Sequence, residues 1–255
     1  GATLTIASGA SSASVSVAAP GDDAYIDAGS VSATISSATG GNFENLAIDP
    51  APATTSITDT LDVTTVSLTA SPSVAEGGSI TYTASLNNPA ATPVAVTLSN
   101  GAVINIAAGA SSGTVSLPAP ADDVYVDAGS VSATIATASG GNFESLVVNP
   151  APATTAITDT IDSTTVSLTA SATVAEGGSI VYTASLNNPA VTSVAVTLSN
   201  GAVITIAGGS SSGTVSVLAP GDDATVDATL VSATITGASG GNFENLVIDP
   251  TPATT

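Results

Sequence analysis

The chain has 255 residues, 20 of them acidic, with no Lys, Arg, His or Cys, which sets a net charge of −20. Phosphate recognition needs basic side chains, so nucleic acid and anionic membrane surfaces are excluded as partners. Without cysteine there is neither a disulfide framework nor thiol chemistry, and no apolar run approaches the ~18 residues of a membrane helix or follows a basic leader.

From the N-terminus, the first stretch to stand out is "GDDAYIDAG" at 21–29, which sets Asp22, Asp23 and Asp27 together in a chain with no cation to pair them. "GGNFENLAIDPAPATT" follows from Gly40. Both recur 100 residues on, as "ADDVYVDAG" and "GGNFESLVVNPAPATT", and again as "GDDATVDAT" and "GGNFENLVIDPTPATT", without insertion or deletion. A period of this length is domain-sized and far longer than a solenoid repeat. Gly1 aligns with Gly101 and Thr255 with Thr155, so the frame predicts a piece of a longer array. Residues 1–59 are the C-terminal part of one repeat, 60–159 a complete repeat, and 160–255 a repeat lacking its C-terminal end. The first part lacks three leading strands and should depend on chain outside it, or on a neighbour, for cover.

Within the complete copy the apolar period is two. In order, "TVSLTA" alternates Val66, Leu68 and Ala70, and "SITYTASL" alternates Ile80, Tyr82, Ala84 and Leu86. "VAVTLS" and "AVINIA" are joined through Asn100-Gly101, a hairpin signal. "GTVSLPA", "SVSATIA" and "ATTAITDT" complete seven short strands, with Pro and Gly in the gaps. Seven antiparallel strands in about 100 residues predict an all-β fold of tandem immunoglobulin-like sandwiches, arranged as an elongated rod. The repeat is rich in Val, Thr, Ser and Ala and poor in aromatics, so its cores are small and bury modest area, at roughly 25 cal/mol per Å², and a bound ion would help.

All acids fall in eight columns of the repeat: Asp22, Asp23, Asp27, Glu44, Asp49, Asp59, Asp62 and Glu76. Counting strands up and down sends Glu76, Asp122, Asp123 and Asp127 to one pole. The last strand delivers Asp159 and Asp162 there, at the seam with the next copy. Two unit charges ~4 Å apart repel by about 1 kcal/mol in water and about 4 at an effective dielectric of 20. A hard divalent cation relieves this, and calcium, which takes 6–8 oxygens, is the expected cofactor. Magnesium suits the seam less, and zinc wants His or Cys. The predicted ligands are therefore Asp22, Asp23, Asp27, Asp59, Asp62, Glu76, Asp122, Asp123, Asp127, Asp159, Asp162, Glu176, Asp222, Asp223 and Asp227. Asp22 and Asp23 also suit a plain turn, as do Asp49, Asn149 and Asp249 before proline. Glu44, Glu144 and Glu244 lie at the opposite pole, either capping a turn or reaching the preceding copy's seam; sequence leaves both open.

The blocks "AEGGSI.YTA", "VTLSNG" and "GGNFENL" resemble the extender repeats of giant RTX-type adhesins of Gram-negative bacteria, over essentially the whole chain. The resemblance implies calcium-bound immunoglobulin-like domains in tandem, secreted by the type I route and displayed extracellularly on the bacterial surface. They would hold a distal adhesive tip away from the cell, in biofilm formation or attachment to surfaces such as ice. It maps the family's acidic positions onto Glu76, Asp122, Asp123, Asp127, Asp159 and Asp162. The expected partners are neighbouring repeats of the same chain, with possible self-association between chains and no direct membrane contact.

Two other functions fit parts of the sequence. Catalysis would rest on carboxylate pairs alone, as in a glycosidase, yet one site recurring on a 100-residue spacing does not look like an enzyme. A carbohydrate- or ice-surface-binding module could use Thr- and Ser-rich strand faces, but sugar sites usually want aromatics, which are scarce here.

Overall fold

A computed structural model describes residues 1–27, 29–127, 129–225 and 230–255. Its described residues form strands and turns without a helix, so none crosses a membrane as a helix. By contacts it divides into two compact units, residues 1–70 with 81–116 and 132–154, and residues 71–80 with 117–131 and 155–255. The division falls inside the middle copy.

In the first unit, the described residues of 1–59 hold only β1 (Ser30–Ala33) and β2 (Ala53–Ser56), paired antiparallel. Val17 and Phe43 there stand 70% and 67% exposed.

The middle copy contributes β3 (Val63–Ala70), β4 (Ser73–Ala75), β5 (Ser79–Leu86), β6 (Val94–Leu98), β7 (Val103–Ile106), β8 (Ser112–Pro118), β9 (Gly129–Ala133), β10 (Ile135–Gly140), β11 (Ser145–Val148) and β12 (Ala153–Thr158). The sheets run β11-β3-β5-β8, β10-β6-β7 and β4-β12-β9. Alternation places Val66, Leu68, Ile80, Tyr82, Ala84, Val96, Leu98, Ile104 and Ile106 inside, while intervening Ser and Thr face out. Thr64 is buried as well, and the Asn88 side-chain amide donates to its hydroxyl at 3.0 Å. The β6–β7 hairpin turns at Asn100-Gly101 as the sequence suggests, but only Gly101 is left-handed, with φ +85°. That geometry belongs to a turn followed by a glycine bulge rather than to a two-residue loop.

Two expectations are corrected. "SVSATIA" is not one strand: Thr134 separates β9 from β10, donating its N–H to Ser99 Oγ at 3.1 Å and accepting from the Ser99 N–H at 2.9 Å. The chain changes sheets at that point. Pairing is also not antiparallel throughout, because β11 runs parallel to β3 and β4 parallel to β12. These added strands are only four and three residues long. Their partners lie far away in sequence, where hairpin reasoning has no reach.

The third copy, in the second unit, repeats the pattern with β13 (Ser163–Ala170), β14 (Ser179–Leu186), β15 (Val194–Leu198), β16 (Val203–Ile206), β17 (Ser212–Leu218), β18 (Ser232–Ala233), β19 (Ile235–Gly240), β20 (Asn245–Ile248) and β21 (Ala253–Thr254). Its sheets run β17-β14-β13-β20, β16-β15-β19 and β18-β21. The core centres on Tyr182, Ile180, Leu198, Ile204 and Ile206. The molecule is thus an all-β array of immunoglobulin-like sandwiches.

Candidate metal centre

Within the second unit, the pole of the middle copy is assembled by backbone before any charge is considered. Gly77 takes φ +67°, and its N–H donates to the Pro120 carbonyl at 2.7 Å. Gly78 has no room for a side chain, since a Cβ would meet Val74 Cγ1 at 2.6 Å and the Ala75 carbonyl at 2.8 Å. This tight turn sets the "AEGG" loop against the aspartate loop. Strand β12 then runs beside β4, with Thr158 opposite Ala75, and the Glu76 N–H donates to the Thr158 carbonyl at 3.0 Å. The register delivers Asp159 directly to Glu76.

A third carboxylate comes from the next copy. Gly240, Gly241 and Asn242 are all left-handed, with φ of +101°, +88° and +62°. Asparagine is among the few non-glycine residues at home there. The resulting hook turns its edge to the aspartate loop: the Val126 N–H donates to the Asn242 carbonyl at 3.1 Å, and the Glu244 N–H to the Val124 carbonyl at 3.2 Å. Glu244 then accepts from the Asp162 N–H. Glu76, Asp159 and Glu244 each offer a carboxylate oxygen, and all three atoms lie within 4.8 Å of one another.

These oxygens have nothing to bond. Glu76 Oε2, Asp159 Oδ1 and Glu244 Oε1 are buried without a hydrogen-bond partner. Burial pushes the Glu76 carboxyl above its ordinary pKa, reinforced by Asp159, Asp127 and Asp122. For Glu244 the Asp162 N–H pulls downward, but burial together with Asp159 and Asp162 outweighs it, and the net shift is upward. Like charges that cannot separate raise one another's proton affinity. Donors that are all anionic oxygen, with lone pairs left over, fit a hard cation with flexible coordination such as calcium; soft or imidazole-seeking metals find no ligand here.

The other predicted residues fall around this trio in distinct ways. Asp122 accepts from the Thr160 hydroxyl, and Asp127 lines the groove beside Glu76 with Pro120, Val126 and Ile157. Asp162 contributes its N–H to Glu244. Asp123 closes an Asx turn, accepting the Tyr125 N–H at 2.8 Å, as Asp23 does with Tyr25 at 2.9 Å. Asp49, Asn149 and Asp249 close similar turns onto residues 51, 151 and 251.

The first unit repeats the arrangement one copy earlier. Asp22 accepts from Thr60, and Glu144 Oε2 accepts from the Asp62 N–H at 2.5 Å. Asp22, Asp27 and Asp59 line one groove. Glu144 Oε1 is orphaned; the Asp62 N–H lowers that carboxyl's pKa, while burial and Asp59 raise it by more. At the third pole Glu176 is exposed, and Asp223 accepts from the Thr225 N–H at 2.7 Å and its hydroxyl at 2.5 Å, which lowers its pKa. Asp222 is exposed beside them, and Asp227 lies outside the described residues. Glu144 and Glu244 join the seams, the alternative that sequence left open. Their signal was an acid held in one column of all three copies, next to a Gly-Gly-Asn hook.

No curated protein sequence matches the chain. Among solved structures, a crystal structure of CBD12 from CALX1.2 aligns over 73% of this chain and 98% of its own, at 12% identity and a TM-score of 0.32. The LapA domain model matches residues 1–60, 62–160 and 162–255, in step with the 100-residue period, and the chain therefore belongs to the LapA domain family, which is adhesin-related.

Proposed function

We propose that this chain is a structural extender of a bacterial cell-surface adhesin, made stiff by calcium at the joints between repeats, and that it performs no catalysis. One observation carries the reading. Glu76 from a domain pole, Asp159 from the linker and Glu244 from the following copy converge with unpaired oxygens. A site drawn from three separate segments fixes their alignment only while something offsets the repulsion among its carboxylates. Glu76, Asp159 and Glu244 would bind the ion, with Asp122, Asp127 and Asp162 adding negative charge nearby. Calcium supplies neutralisation and several oxygen-coordination positions at once. The equivalent set at the earlier joint is Asp59 and Glu144, with Asp22, Asp27 and Asp62 beside them.

The adhesin-related family supports the setting: the name is that of a large biofilm adhesin of Pseudomonas. In such a protein, type I export, an extracellular site and tandem RTX-type extenders follow as parts of the same proposal. With strands of about seven residues at ~3.4 Å each, plus loops, every aligned repeat adds roughly 40 Å of reach. Small-angle scattering in calcium and then in chelator tests the reading. The maximum dimension should be larger and better defined with calcium, and identical scattering in the two conditions would end the extender mechanism.

A further inference from the structure

The carboxylates are only half of what joins one copy to the next. At the middle joint, Tyr125 stacks on Phe243 with ring centroids 5.6 Å apart and 26° between planes. Its hydroxyl donates to the Pro189 carbonyl at 2.7 Å. Tyr125 and Val124 pack against the core cluster of the third copy, and Phe243 is itself buried. The Asn242 hook closes the contact, accepting the Val126 N–H and donating its side-chain amide to the Val126 carbonyl at 3.4 Å. A Cβ at Gly241 would collide with the Phe243 ring, so the hook needs glycine to bring the ring into place. The earlier joint is built alike: Tyr25 stacks on Phe143 at 5.7 Å and donates to the Pro89 carbonyl at 2.6 Å.

We infer that a joint whose pole carries this tyrosine has a second, ion-independent fastening, in which the tyrosine is the docking surface for the Gly-Gly-Asn-Phe hook of the succeeding copy. Tyr25 and Tyr125 are followed in the same column by Thr225. That threonine has no ring, and its hydroxyl lies on Asp223 of its own loop. A pole with threonine there offers a hook no stacking face. The column therefore sorts poles into two kinds, those that grip a following hook unaided and those that must rely on the carboxylates. None of this needs the ion: the contacts are apolar, aromatic and neutral hydrogen bonds, and they leave the acid cluster to set alignment on top of a joint already closed.

Amide hydrogen exchange on the whole chain, in calcium and in chelator, tests the inference at the Val126 and Glu244 amides. In wild type both should stay protected after chelation. Tyr125→Thr, the residue this chain carries at 225, should cost them about 10- to 100-fold in protection, the size expected when a ring stack and a hydrogen bond are removed together. The Ile26 and Glu144 amides of the other joint should not change, and those of β14 should confirm that the third copy remains folded. Tyr125→Phe, which keeps the ring, should lose less. Full loss of protection in chelated wild type would make the fastening dependent on the ion and overturn the inference. Unchanged protection in Tyr125→Thr would show that the tyrosine is not the grip.

Discussion

Residues 74–80 and 174–180 have the same sequence, "VAEGGSI", and different structures. In the middle copy Ser73–Ala75 is a strand, and Glu76 is only 8% exposed. In the third copy the equivalent residues form no strand, and Glu176 is exposed. The turn itself is unchanged, since Gly177 keeps φ +69° and donates to the Pro220 carbonyl at 2.7 Å, as Gly77 does to Pro120. What differs is the neighbour. Strand β12 continues to Thr158 and supplies the parallel partner and the carbonyl for the Glu76 N–H, and among the described residues Glu176 has no equivalent partner. The acid pole is therefore not a property of its own loop. It is completed by the residues that lead into the next copy.

Substitutions at the two glutamates should separate them most strongly. Outer-shell partners of a metal ligand alone are worth about 10- to 100-fold in affinity, so Asp159→Asn or Glu76→Gln should weaken calcium binding at the middle joint by at least that much. Glu176→Gln should leave binding at that joint untouched and shift stability by no more than about 0.5 kcal/mol. Titration calorimetry reads both, and equal losses from Glu76→Gln and Glu176→Gln would erase the distinction.

Hydrogen exchange offers a smaller contrast. The Glu76 amide is bonded across β4–β12, and among the described residues the Glu176 amide has no such strand partner, so Glu76 should exchange about tenfold more slowly, the worth of one backbone hydrogen bond.

Acid should act with opposite sign in the presence and absence of the ion. The Glu76, Glu144 and Glu244 carboxyls are raised above their ordinary value of 4.5 in the folded chain. A raised folded pKa means the native state binds protons more tightly than the unfolded one. In chelator, that stabilisation is fully present below pH 4.5 and is lost as pH rises through the raised values, so these three groups make mild acidification stabilising. Glu76→Gln should flatten part of this trend. With calcium, protons compete for the same oxygens, and the ion-dependent gain in melting temperature should shrink over the same range. Thermal melts between neutral and mildly acidic pH, with and without chelator, measure both slopes.

The smallest effect should be the same in both copies. Tyr82 and Tyr182 are wholly buried with unpaired hydroxyls, and burial raises the Tyr82 pKa. Replacing an unsatisfied buried polar group by an apolar one is close to neutral or stabilising. Tyr82→Phe and Tyr182→Phe should each change urea-unfolding stability by less than about 1 kcal/mol, in the same direction. A large or opposed pair of values would mean that the two cores, and not only their poles, differ.

Much of this was legible from residues alone. Alternation in Val66–Leu68 and Ile80–Leu86 marked the buried faces because a strand's side chains must alternate. The 100-residue spacing marked copies, and the absence of any cation left the acid columns without a basic side chain to pair them. Strands β4 and β11 were not legible, being short and paired in parallel with segments about 80 residues away. Nothing local separates Asp23 and Asp123 from Asp22 and Asp122, yet an Asx turn uses the first pair and a linker threonine the second.

By itself, then, the sequence determined the strand faces, the repeat frame and the chemical type of the seam, because periodicity and charge act locally and add up along a chain. Only the tertiary structure decided which acids meet. Glu244 reaches Glu76 and Asp159 because a left-handed Gly-Gly-Asn hook folds onto the preceding copy's loop. Tyr125 finds Phe243 by the same route, 118 residues further along the chain. Such distances are set by packing between copies, and no local pattern of residues encodes them.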